Sequence, residues 1–170
     1  MASLMDDLIQ VLESEITQYQ QLLELSTEKK RVIINADVPA LEKIVDLEQD
    51  VSSKIQNLDK HRRKVMHDMS VVLNKPEKDF SLGTIIDMLS SQPVEQKQLE
   101  NVKNQLRTTL DEVRKVNEQN QTLLKQALEM VEFDLTLFRS MRTAPETANY
   151  NKNAYNTGDI LGNSGFDAKQ

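Results

Sequence analysis

Apolar residues recur along this chain at alternating intervals of three and four, with long polar faces between them. From Ser3 to about Asn35 the repeat reads Met5, Leu8, Leu12, Ile16, Tyr19, Leu23 and Ile33, with Ser26 and Lys30 filling the same face before Ile33. That spacing places one side chain per helical turn on a single face and predicts an amphipathic helix. Asn35-Ala36-Asp37 breaks the pattern, and Asp37 is a good N-cap for a second helix that tolerates Pro39 in its first turn. The second helix is predicted over Val38 to about Asn74. Its seam runs through Leu41, Ile44, Glu48, Val51, Ile55, Leu58, Arg62, Val65, Met69 and Val72. An unbroken three-four alternation is the mark of left-handed supercoiled packing, and Glu48 and Arg62 are its two polar members.

Asn74-Lys75-Pro76 ends that helix. Phe80 to Ser90 fits a short connecting helix capped by Ser81, with Leu82, Ile85, Ile86 and Leu89 on one face. Pro93 then opens a longer third helix, reaching about Arg142, whose seam includes Leu99, Val102, Leu106, Leu110, Val113, Val116, Asn120 and Leu124. From Thr143 onward the periodicity gives way to Asn, Thr, Ala, Gly and Ser, so the last stretch is expected to be disordered on its own. The expected organisation is an all-α helical domain over 1–142 and a flexible tail over 143–170. The domain is a long antiparallel helical hairpin plus a longer third helix.

Glycine usage sharpens this picture. Gly83 is the one glycine before Gly158. Folds that cradle phosphate or turn tightly around a substrate use glycine where the backbone must bend. No phosphate loop, nucleophile elbow or paired histidines at metal-ligand spacing occurs, so no catalytic residue, metal site or cofactor is expected. The nearest enzymatic candidate is His61 followed by Lys64, an arrangement like that of histidine phosphotransfer bundles. Val65 stands where those proteins need glycine.

Charge adds orientation. Six acids and no Lys or Arg fall within residues 1–28, while Lys60, His61, Arg62, Arg63 and Lys64 cluster on the second helix. Folding back at Ala36 sets the acidic stretch beside the basic one, and opposite charges flanking a seam help fix its orientation. The basic cluster is therefore read as a structural complement. The formal net charge of −6 also argues against nucleic acid or an anionic membrane as ligand. There is no cysteine, no apolar run long enough to span a bilayer and no signal-peptide pattern at the start, so a soluble cytoplasmic protein is expected.

Length points to a binding surface. At 1.5 Å per residue the third helix is longer than either arm of the hairpin, and by about Leu128 it should have used up the hairpin's surface. Val131, Phe133, Leu135, Leu137, Phe138 and Met141 lie beyond. An uncovered apolar cluster of that kind marks a partner site, unless the short helix at 80–90 or a second copy of the chain covers it.

Particular residues carry a family resemblance. The hairpin holds Leu22-Leu23, Lys29-Lys30, Ile33-Ile34 and Asp37, and the third helix holds Asn117, Asn120 and Leu123-Leu124. The tail holds Tyr155-Asn-Thr-Gly158 and ends near Phe166-Asp-Ala-Lys169. In this order the chain resembles the FlgN family of flagellar type III export chaperones, and its tail is similar to those of Gram-positive members. The resemblance implies a chaperone that binds the hook-associated proteins FlgK and FlgL, prevents their premature assembly and escorts them to the export gate protein FlhA. The expected client-binding residues are Leu124, Leu128, Val131, Leu135 and Phe138. A second partner-binding set is Tyr150, Tyr155 and Phe166 in the tail, together with Ile160 and Leu161. The competing readings are a structural coiled coil that self-associates as a homodimer and a phosphotransfer bundle working through His61.

Overall fold

The computed structural model describes residues 2–143, and every regular element among them is helical. Helix α1 spans Ala2–Ile34 and α2 spans Val38–Val72. A 3-10 turn over Glu77–Asp79 leads to α3, Leu82–Met88. A second 3-10 turn, Leu89–Ser91, leads to α4, Pro93–Thr143. The residues divide into two units between Leu124 and Lys125.

In the first unit the elements start and stop for local reasons. The Asp37 side chain accepts from the Ala40 backbone N–H at 3.1 Å and caps α2, with Pro39 in its first turn. Ser81 caps α3 in the same way, accepting from Thr84 N–H at 3.2 Å. Both arms of the hairpin close with a left-handed residue that is not glycine: Ala36 at φ 53° and Asn74 at φ 50°. Around each, the next amide reaches back five residues, Asp37 to Val32 and Lys75 to Ser70, and the left-handed residue reaches back three. This is the Schellman closure, which satisfies carbonyls that would otherwise be orphaned. Asn tolerates the left-handed region. Ala does not gain there and carries a steric cost of about 1 kcal/mol.

The hairpin is antiparallel: Ser26 meets Glu48 near the turn and Glu15 meets Arg62 further from it. The backbones of α1 and α2 approach one another along their length, while α4 meets them mainly through side chains. The apolar core lies at the end away from the hairpin turn. There Met5, Leu8, Leu12, Val65 and Met69 of the hairpin pack with Ile85, Ile86 and Leu89, and with Leu99, Val102 and Leu106 of α4. The α3 segment closes this end. Toward the hairpin turn the lining thins to Ile33, Ile44, Val51, Ile55 and Val113, and polar residues enter it.

Most of the expected seam is buried or half-buried, with corrections at the ends of elements. Val72 is 57 % exposed, because α2 ends there and the Schellman turn leads the chain away. On α1, Ile9 and Val11 are buried beside the expected stripe. The core at that end draws on α2, α3 and α4 together, so α1 is covered over a wider arc than one partner helix would cover.

Candidate functional site

Two polar layers cross the bundle in the first unit. In the layer near the hairpin turn, Glu48 of α2 accepts from the Ser26 hydroxyl at 2.9 Å and from Lys29 Nζ at 2.8 Å. Asn120 of α4 donates through Nδ2 to the Ser26 carbonyl at 2.7 Å, and Lys30 donates to the Gln119 side chain at 3.2 Å. Three helices are thereby pinned at one level. Polar residues at seam positions fix register at a cost in stability, and the cost is visible here, since Asn120 Oδ1 is buried without a hydrogen-bond partner. A cavity of about 250 Å³ opens beside this layer, lined by Leu22, Lys29, Glu48, Asn117, Asn120 and Leu124.

The second layer is Glu15 with Arg62, at 3.1 Å. Arg62 also holds Asp59 at 2.6 Å, and Arg63 holds the other Asp59 oxygen at 2.8 Å. Burial pushes the Glu15 carboxyl above its ordinary 4.5, and Arg62 beside it only partly offsets this. Burial disfavours charge on Arg62, but Glu15 and Asp59 outweigh that and hold it firmly protonated. Of the basic cluster at 60–64, Arg62 is the residue that reaches across to α1. Arg63 pairs within α2, and the expected complement of acidic and basic stretches narrows to one buried pair.

The apolar residues of late α4 behave differently. Every described side chain from Lys125 to Arg142 is exposed. Leu128 is 64 %, Val131 54 %, Leu135 49 % and Phe138 59 % exposed; on another side Met130, Phe133, Leu137 and Met141 are exposed to a similar degree. Helix length puts the change near Leu128, but continuous exposure begins at Lys125. Within the first unit Lys29 and Lys30 pair with Glu48 and Gln119, while Val32 and Ile33 after them remain buried. Leu124 is half-buried in the first unit and lines its cavity. The buried side chains of α3, Ile85 and Ile86, belong to the core of the first unit. The Arg142 guanidinium lies over the Phe138 ring, 5.6 Å from its centroid, a cation–π arrangement.

Tyr150, Tyr155, Ile160, Leu161 and Phe166 lie outside the described residues. His61 is exposed on α2. Among the described residues no group of His, Cys, Asp and Glu is arranged to hold a metal ion, and no helix is long and apolar enough to cross a membrane. Met130, Phe133, Leu137 and Met141 were not among the expected binding residues as a set, although their spacing of three, four and four carries the same signal as the expected stripe.

No curated protein and no solved structure matches the chain. The family model described as FlgN protein matches residues 1–158, most of the 170. That span takes in the hairpin, α3 and the whole of α4. The chain belongs to the FlgN family of flagellar export chaperones.

Proposed function

We propose that this chaperone binds the hook-associated proteins FlgK and FlgL through the exposed apolar stripe of late α4, Leu128, Val131, Leu135 and Phe138. It holds them from premature assembly and passes them to the export gate protein FlhA. The protein works in the cytoplasm and carries out no reaction. The observation supporting this reading is the exposure of those four side chains on a helix whose earlier seam is buried. Exposed contiguous apolar surface of this kind is a mark of partner sites, and an amphipathic helix laid on an apolar face is a standard recognition mode.

The magnitudes are sufficient for a chaperone's task. Fully burying four such side chains yields about 6–12 kcal/mol at about 1.5–3 kcal/mol each. Association costs about 4–15 kcal/mol in lost freedom. One stripe alone therefore supports release as well as capture, which suits a protein that must give its client up. Leu124, half-buried beside the polar layer, is the least exposed of the expected client-binding residues. Tyr150, Tyr155 and Phe166 provide a second contact, to client or gate, in the tail.

The test is size-exclusion chromatography with light scattering on the purified protein mixed with FlgK or FlgL of the same organism. A stable complex with either, lost on deleting that client's C-terminal segment, is expected. A stable homodimer with neither complex formed would instead establish the self-associating coiled coil. Phosphodonor labelling abolished by His61→Ala would establish phosphotransfer.

A further inference from the structure

Late α4 carries more apolar surface than one docked helix can cover. At about 100° per residue, Leu128, Val131, Leu135 and Phe138 fall within an arc of about 80°. Met130, Phe133, Leu137 and Met141 fall within a second arc of about 80°, centred about 140° further round the helix. All eight are exposed, at 49–68 %. The remaining polar arc holds Lys125, Glu129, Glu132, Thr136 and Arg139. The two arcs together cover about 160° of the circumference; a surface helix shows one apolar stripe, and here a second, separate one is left over.

We infer that late α4 is the central helix of a three-helix arrangement completed by one client molecule, which supplies two amphipathic helical segments, one on each stripe. This rests on the client-binding reading above and extends it to the kind of partner. Charge identifies the partner's chemistry. Asp134 lies in the narrow interval between the two arcs, so two docked segments enclose its carboxylate and must offer it a Lys or Arg. Two charges face the docked segments: the first is Asp134 between the stripes, and the second is Arg142, which falls within the first stripe's arc beside Phe138, whereas Glu129, Glu132 and Arg139 lie on the polar arc. A complementary segment is basic where it meets the first and acidic where it meets the second. Two stripes also fit the energetics, since they double the apolar burial set against the same association cost.

The experiment is calorimetric titration of full-length protein with FlgK or FlgL, using wild type, a first-stripe variant (Leu128→Asp with Leu135→Asp) and a second-stripe variant (Phe133→Asp with Leu137→Asp). Circular dichroism checks that helicity is kept. The inference expects one-to-one stoichiometry, and a loss of about tenfold or more in affinity from each variant, as for central interface residues. Asp134→Lys should weaken binding by a similar factor. Loss from the first-stripe variant alone overturns the two-segment arrangement and leaves the client-binding reading intact. Two clients per chaperone overturn it as well. A second-stripe variant that only converts a homodimer to a monomer, with client affinity unchanged, assigns that stripe to a second copy. Binding of neither client by wild type removes the client-binding reading and the two-segment arrangement together.

Discussion

Leu99, Val102 and Leu106 at the start of α4 and Leu128, Val131 and Leu135 near its end share one helix and the same spacing, yet the first three are 0–7 % exposed and the last three 49–64 %. Periodicity is identical in the two regions, so periodicity alone does not decide what is core. What differs is the company. The early residues meet Met5, Leu8, Leu12 and Met69 with α3 closing over them. The late ones face solvent. An apolar stripe on a helix states that something must cover it, and only the rest of the chain tells whether the cover is internal.

The sharpest way to break the comparison is to treat both ends alike. Leu99→Ala should cost about 2–5 kcal/mol, as a buried leucine with a poorly collapsing site does, read as a lowered urea midpoint. Leu135→Ala should stay within about 0.5 kcal/mol of wild type. Next in size is the polar pair. Arg62→Ala leaves the Glu15 carboxylate buried without its cation, and breaking one side of a buried pair costs about 3–5 kcal/mol at most. Arg62 is partly exposed, so about 2 kcal/mol is expected by the same measure. Adding Glu15→Leu should recover most of it.

Two smaller effects sharpen the account of the polar end. Asn120→Leu removes the unpartnered Oδ1 but also the Nδ2 bond to the Ser26 carbonyl; at about 1 kcal/mol each these nearly offset, so stability should change little while the register of α4 against Ser26 loosens. Cross-linking between cysteines introduced at surface positions of α1 and α4 reads that loosening. The smallest effect is in pH. Glu15 titrates above its unfolded value, so the folded state holds its proton more tightly and Glu15 favours folding more as pH falls toward and through its raised folded value. Asp59 is shifted the other way: burial opposes its charge, but hydrogen bonds and charge from Arg62 and Arg63 prevail and lower its value from 3.8. Its contribution is present above the unfolded value and lost as pH falls below it. Acid unfolding followed for wild type and Glu15→Gln should therefore converge as pH drops to the Glu15 range, and only then show the Asp59 loss.

Much of the fold was legible in residue spacing. The α2 seam, the Asp37 and Ser81 caps and the start of α4 at Pro93 all follow from local rules that the tertiary structure leaves undisturbed. Glu15 was not legible as buried. It sits beside Ile16, off the single stripe assigned to α1, and becomes interior because several elements pack around that helix. The use of Ala36 in a left-handed turn was equally hidden, since its residue type argues against that conformation. At the candidate site, the apolar cluster was legible and the position of its onset was not. Helix length counts turns and does not say at which turn a side chain loses its cover.

The central claim is that the end of α4 is where the client binds, while the bundle is scaffold. Amide hydrogen exchange on the free chaperone and on its complex with FlgK or FlgL tests this directly. The account predicts new protection from Lys125 through Arg142, with the core amides of α1, α2 and early α4 unchanged. Protection appearing only within the first unit, with the end of α4 still exchanging as in the free protein, would contradict it.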